Sequence, residues 1–593
     1  MSLANDSGNG GLHPVCDRIF LVGLLAAAAF VLWLPVFPTG DGPVHLYYAD
    51  VLWSLVRHQP VYAQDYAIRH LFAPYLVHYL ALVSFEQVVS PPTAEKLLIA
   101  IILLTQGFGF RFLARRLGPQ ASVACLWMLP LLFSWSLGGG FLNCCFATGV
   151  LLWSFGVWTL LGANPSRARL AGLLMAYAFT LAVLVLSHPV PLLVLLLFTA
   201  ADLSLQTLAR PAGLPWRTLL PQSAALALTA VAFLAPVLLA QKGQAAAVIP
   251  GLGFHADVLR ELLLGMRLGF FAGLNVHTVG GWLALASRVG LIAIVPGVAL
   301  LLWQGRAARQ GEKQELAAAE LFAGRPAPRL LVTSLLFLTA TVFFPRSLNH
   351  SYFFPQRLWD IVWLLVLACG AAATPTRRTQ RWLAGAGLGL LACTAIPGLP
   401  ALAHIARAQQ QLAAAQLPAG KRGLFLEPDS AVEGRGAATT YPVYAWSGAR
   451  AFAASHAILL NSPWLGLTIL PLRDATPPER PASGPPSTSR ALLDQGLPSI
   501  YSESPLALTH LLADPVPTNP SSGSGTGSSP DPAQDRQTIL ERADFLLYIN
   551  PASLRSLQPV QDTRAAILLL LGPASPGWRC EVPRFYAVCV HAR

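Results

Sequence analysis

The sequence predicts an α-helical polytopic membrane protein carrying a small extracytoplasmic α/β domain at its C-terminal end. Three observations predict this class. Of the 593 residues, 54% are hydrophobic and only 11% charged, whereas an ordinary soluble domain is about 25% charged. Apolar runs of roughly 20 residues, the length that crosses a bilayer, recur from Ile19 to Pro400. Beyond residue 400 the charge rises and the apolar runs shorten to strand length. A disordered chain and a coiled coil are excluded by the same numbers.

The net charge of +12 would suggest nucleic acid on a soluble chain. Its distribution argues otherwise. Residues 1–400 hold 25 Lys+Arg and 14 Asp+Glu, a net +11, and residues 401–593 hold 15 and 14, a net +1. The positive charge therefore belongs to the apolar part, where it sets membrane topology. No nucleic-acid partner is expected.

Spans are expected near 19–37, 71–89, 97–114, 121–137, 141–162, 169–187, 190–207, 219–240, 288–304, 329–345, 356–373 and 382–400, about 11–13 in all. The first is uniform and lacks a cleavage site leading into a soluble chain, so it reads as a signal anchor. Ser187-His188-Pro189 divides two spans by a tight turn. Basic clusters at Arg111-Arg115-Arg116, Arg167-Arg169, Arg210-Arg217, Arg306-Arg309-Lys313-Arg325 and Arg377-Arg378-Arg381 are expected in the cytoplasm. From residue 97 onwards they alternate. They place 138–140, His188, the 241–287 and 346–355 loops and everything after 400 outside. The segment 71–89 is unusually polar, with His70 at its edge and Tyr75, His78, Tyr79 and Glu86 within it, and is expected to be re-entrant or interfacial, giving eleven spans; the alternative is an N-terminus outside, giving twelve. The stretch from His255 to Leu268 has helical spacing, with Asp257, Arg260, Glu261 and Arg267 opposite Leu259, Leu262, Leu263 and Met266. It reads as an interfacial helix.

The domain division is 1–400, membrane-embedded, with an outer loop at 38–70, and 401–593, an α/β domain. Strands are expected at Gly423–Glu427, Ala543–Ile549, Ala565–Leu571 and Phe585–Val590. Between them, about 474–535 is rich in Pro, Gly and Ser and reads as a disordered insertion. Of eight cysteines, Cys125, Cys144, Cys145, Cys369 and Cys393 lie in apolar runs as packing residues. Cys580 and Cys589 are spaced to close a hairpin by a disulfide or to stand as two separate thiols. No cysteine pair has metal-ligand spacing.

Acidic residues are scarce before residue 400, yet Asp41, Asp50 and Asp65 fall within one loop, 40–70. The loop reads Gly40-Asp41-Gly42-Pro43-Val44-His45-Leu46-Tyr47-Tyr48-Ala49-Asp50. Asp41 sits in a predicted tight turn. A helix from Pro43 stacks His45 and Tyr48 on one side. The carboxylate either acts as a general base towards a hydroxyl or caps that helix. Arg346, His350 and Arg357 form a second polar motif, in the loop Pro345-Arg346-Ser-Leu-Asn349-His350-Ser-Tyr352-Phe-Phe-Pro-Gln356-Arg357. Arginine suits phosphate because its fork donates two hydrogen bonds at once; the alternative is an arginine that snorkels to headgroups. Asp360 is placed to pair with Arg357. Asn143 and His188 are candidate substrate contacts at the same face, or structural hydrogen-bonders. No phosphate loop, His-Glu-x-x-His or Gly-x-Ser-x-Gly motif is present.

A first span followed at once by an outer loop with an early Asp, then His, aromatics and a second Asp, resembles the GT-C superfamily of membrane glycosyltransferases. The arrangement is similar to the protein O-mannosyltransferase and aminoarabinose-transferase branches, over roughly residues 18–400 in architecture. The motif here is Asp-Gly-Pro-Val-His rather than the mannosyltransferases' Asp-Glu pair, and their His-Pro-Pro run is absent. The resemblance implies Asp41 as catalytic carboxylate and Asp65 as the second acidic position, with His45 beside them. It implies a polyprenyl-phosphate-linked sugar donor and an acceptor hydroxyl on an extracytoplasmic glycan, lipid or protein. Arg346, His350 and Arg357 would meet the donor phosphate, and Tyr48, Asn143 and His188 the substrates. Mg²⁺ or Mn²⁺ fits Asp41, Asp65 and His45 but is not required. The expected location is a bacterial-type inner membrane, with the C-terminal domain outside the cytoplasm. Two other readings remain open: a flippase for a lipid-linked glycan, which predicts mid-span polar residues and inverted repeats, and a non-catalytic envelope-assembly scaffold.

Overall fold

The computed structural model describes residues 12–63, 66–68, 75–163, 165–208, 219–240, 254–256, 259, 326–343, 347–348, 351–352, 354–372, 377–426, 449–456, 458–459, 469–471, 543–549, 577–583 and 586–591. The chain divides into two units. The first comprises Met1–Trp33, Leu98–Ala401 and Ala438–Thr440; the second comprises Leu34–Leu97, Leu402–Ala437 and Tyr441–Arg593. The loop that follows the first helix thus belongs with the C-terminal residues.

In the first unit the apolar runs form helices because a chain in lipid must satisfy its backbone hydrogen bonds internally. They are α1 (Leu12–Trp33), the greater part of α5 (Pro91–Leu117), a 3₁₀ turn (Pro119–Val123) leading into α6 (Ala124–Leu132), α7 (Trp135–Gly138), α8 (Leu142–Leu161), α9 (Arg167–Ser187), α10 (Pro189–Leu208), α11 (Leu220–Ala240), α12 (Pro326–Thr341), α13 (Phe354–Ala372) and most of α14 (Arg377–Ala413). Seven of the described helical segments are long and apolar enough to cross a membrane, six within α1, α5, α8, α9, α10 and α14, and one over Gln120–Gly138. The expected span at 288–304 and most of the expected interfacial helix at 255–268 lie outside the described residues.

Close packing and buried charge hold these helices. A Cβ at Gly109 of α5 would come within 2.8 Å of the Gly149 carbonyl oxygen on α8, so small residues let two backbones meet. Asp202 of α10 accepts from Arg329 Nε of α12 at 2.7 Å, Trp158 Nε1 of α8 at 2.8 Å and Gln206 Nε2 at 2.6 Å. An unpaired carboxylate would be prohibitive at that depth; here it bonds three neighbours. Asp17 of α1 receives Arg111 through two bonds of 2.7 Å and Arg115 at 3.0 Å. Two members of the first basic cluster therefore also lock α1 to α5.

The second unit holds α2 (Gly42–Val56), α3 (Pro60–Ala63), β1 (Tyr66–Ile68), α4 (Leu76–Glu86), the start of α5 and the end of α14, together with α15 (Ala449–Ser455). The 11 residues of α4 rise about 16 Å at 1.5 Å per residue, half of what a bilayer requires. This helix does not cross as a span. A five-stranded sheet has the order β5-β4-β7-β9-β8, formed by β4 (Arg422–Leu426), β5 (Ile458–Leu459), β7 (Phe545–Ile549), β8 (Trp578–Glu581) and β9 (Tyr586–His591). β4 pairs in parallel with β5 and β7, while β9 runs antiparallel to β7 and β8. Three expected strands match β4, β7 and β9; Ala565–Leu571 and the 474–535 insertion lie outside the described residues. Separately, β1 pairs antiparallel with β6 (Ile469–Pro471), joining the early loop to the C-terminal part of the same unit. In the first unit, β2 (Ser347–Leu348) and β3 (Ser351–Tyr352) form a two-residue hairpin ahead of α13.

Cys580 and Cys589 are direct partners across β8 and β9 and are joined by a disulfide. Outside the disulfide, Cys16, Cys125, Cys144, Cys145 and Cys369 are buried, and Cys393 is half-buried.

Candidate functional site

The acidic loop of the second unit is built on a buried ion pair. Arg450 of α15 is 1% exposed and meets Glu95 of α5 through Nη2 at 2.7 and 2.9 Å and through Nε at 3.2 Å. Arg450 also donates to Gln409 and, at 2.9 Å, to the Phe37 carbonyl. Thr39 donates to Glu95 at 3.4 Å. A side chain at Gly42 would collide with Thr39 and Glu95. The turn carrying Asp41 is therefore fixed on both sides by one buried guanidinium–carboxylate pair.

Asp41 stands at the N-terminus of α2. Its carbonyl accepts from Val44 N–H and His45 N–H, both at 3.1 Å. Its side chain makes no capping hydrogen bond and is half-buried. The capping role is thus left to the backbone, and the carboxylate sits at the positive end of a helix. Behind it, His45 Nδ1 lies 3.1 Å from Tyr79 Oη and 3.2 Å from His78 Nε2, all three rings being buried. Burial pushes the Tyr79 phenol well up, with added repulsion from Tyr48, Tyr75 and the Asp41 carboxylate. Tyr79 stays a neutral hydroxyl and His45 is held by it in one orientation. Tyr48 is buried too, its ring packing on those of Tyr47 and Tyr66.

Asp50, in the middle of α2, accepts from Tyr62 Oη at 2.7 Å and lies 3.2 Å from Nδ1 of His456. Glu86 of α4 is pushed up to about 8 by burial and by the negative charge of Asp50. Its Oε1 is buried without a partner. Asp65 lies outside the described residues. Among the described residues, no three His, Cys, Asp or Glu side chains converge as a metal-holding group.

In the first unit, Arg357 of α13 is 9% exposed. Its guanidinium lies 3.7 Å from the Phe141 ring centre, a cation–π contact. Nη1 is 3.2 Å from His188 Nε2. His188 Nδ1 receives the Val190 N–H at 3.1 Å. Burial, then the adjacent guanidinium, lowers the His188 pKa well below its usual value, so the ring is neutral. Asn143 is buried, its Oδ1 accepting from Cys144 N–H at 2.8 Å in the first turn of α8. That bond ties it to its own helix. Arg346 and His350 lie outside the described residues, and so does the Asp360 side chain.

The structure thus brings His45 to Tyr79 and His78, and Arg357 to His188. Glu95, Arg450 and Ser136, described below, went unread in the sequence, and Glu86 was read only for making 71–89 polar. Glu95 and Arg450 are 355 positions apart, and neither has a local motif. Glu86 carried one signal, a carboxylate in an apolar run.

No family model and no curated protein matches the chain. Among solved structures the chain is similar to the oligosaccharyltransferase of Archaeoglobus fulgidus in its apo form, at 10% identity and a TM-score of 0.38, over 89% of this chain and 69% of that one.

Proposed function

We propose that the chain is an integral-membrane glycosyltransferase that moves a sugar from a polyprenyl-phosphate-linked donor to an extracytoplasmic acceptor hydroxyl. The observation that carries the reading is the Asp41 carboxylate: uncapped, half-buried, at a helix N-terminus, on a turn held by a buried ion pair. A carboxylate that only capped would be bonded to its helix. In the proposed step the acceptor oxygen bonds the anomeric carbon, the bond from that carbon to the donor phosphate breaks, and the acceptor proton passes to Asp41. The His45–Tyr79 contact backs the base. Arg357 of α13, with Arg346 and His350 from the segment before that helix, neutralises the leaving phosphate. Asp65 is the second acidic position, and Tyr48, Asn143 and His188 lie on the substrate side.

The 401–593 domain is placed outside the cytoplasm. The Cys580–Cys589 disulfide supports this, because such bonds persist in oxidising compartments.

Asp41→Asn tests the reading. Membranes carrying it, given a panel of labelled polyprenyl-phosphate sugars, should lose transfer by about 10²–10⁴-fold, the usual contribution of a general base, at unchanged expression. Transfer at the wild-type rate would overturn the base assignment. Lipid-linked glycan crossing the bilayer with no covalent product would replace the enzyme by a flippase.

A further inference from the structure

A cavity in the first unit gathers hydrogen-bond donors that lack acceptors. It is lined by Arg357, Ser134, Ser136, Thr148, Cys144 and Cys145 among others, all of them buried. Thr148 spends its hydroxyl proton on the Cys144 carbonyl. Ser134 Oγ accepts from Leu137 N–H, which leaves its own proton to give. Ser136 Oγ and Arg357 Nε are buried with no hydrogen-bond partner.

His188 does not relieve Arg357. Its Nδ1 accepts from Val190 N–H, so in the neutral ring the proton sits on Nε2, where it faces the Arg357 Nη1–H donor. Among the described residues the guanidinium faces a ring and a second donor, and its Nε is buried without a partner. Among the described residues no carboxylate lies within ion-pair distance of it. A buried cation in this condition is costly, and in a membrane bundle more so. The N-terminal turns of α8 and α13, which carry Cys144, Cys145 and Arg357, add the positive ends of two helix dipoles to the same cavity.

We propose that this cavity is a binding site for one small inorganic anion of the halide class, held by Arg357 Nε–H and the Ser136 and Ser134 hydroxyls. A monovalent ion balances the single guanidinium charge. A weakly hydrated halide is also cheaper to strip of water than phosphate, as a site walled by buried residues demands. The proposal competes with the transferase reading only for Arg357, which a bound halide would already neutralise, and it survives if Asp41→Asn keeps full activity.

The test uses the full chain purified in detergent with gluconate as the starting anion, at constant ionic strength. Replacing gluconate by chloride or bromide should raise the thermal unfolding midpoint saturably. Ser136→Ala should raise the half-saturating concentration about tenfold, as expected for one hydrogen bond to a charged group. Arg357→Gln should abolish the response. If Arg357→Gln does not fold, the Ser136→Ala titration still decides. Equal midpoints in gluconate and chloride would overturn the proposal, as would a halide response unchanged by Ser136→Ala. A response to inorganic phosphate but not to halide would overturn the assigned ligand class.

Discussion

Glu86 shows how much one residue's setting decides. Its carboxyl is held at about 8 by burial and by Asp50. The shift exists only in the folded chain, so between the ordinary carboxylate range and about 8 the folded state keeps a proton that the unfolded state has released. Stability from this group is complete below that range and is lost as pH rises through about 8. Glu86→Gln should match wild type at about pH 4 and unfold at a higher temperature at about pH 9. Thermal unfolding of the purified chain at the two pH values checks this; a mutant less stable at the higher value would show that the ionised carboxylate is stabilising. Asp41 presents the opposite case. Its side chain makes no capping hydrogen bond, and its surroundings are supplied by Tyr79 and by the turn that Arg450 fixes.

Among the elements, the β8–β9 hairpin is the one most dependent on a covalent link. Among the described strands β8 is at the edge of its sheet and pairs only with β9, and it is four residues long. The disulfide closes a short loop, and such a link contributes about 2–3 kcal/mol by restricting the unfolded chain. Cys580→Ser should cost about that much, read by denaturant unfolding, and reductant should reproduce the loss in wild type but change nothing in the mutant. Equal stability of mutant and wild type would mean that the ladder hydrogen bonds suffice. The brevity of α4 has a different origin. Tyr75 takes a left-handed conformation (φ 77°) where the helix starts, which blocks helical continuation towards the N-terminus.

Across the whole molecule, charge serves topology and packing at once. Arg111 and Arg115 belong to a basic cluster and also clasp Asp17. If the basic clusters are cytoplasmic, a cysteine at Ala307 should resist a membrane-impermeant maleimide applied to intact cells, while one at Ser522 should react. Reversed labelling would invert the orientation and remove the extracytoplasmic acceptor from the proposal.

Hydropathy and helical periodicity are local properties, and the bilayer enforces them strongly. For that reason the sequence by itself determined the helical membrane class, most helix positions and three of the sheet strands, while the Cys580–Cys589 bond was one of two readings until the structure joined them. It also singled out Asp41, His45 and Arg357 by composition and spacing. What surrounds each of them was decided by tertiary structure. His45 meets residues 33 and 34 positions away, Arg357 meets His188 at 169, and Glu95 meets Arg450 at 355. Contacts at such separations depend on how helices pack and on which buried charges must find partners. No local pattern records that.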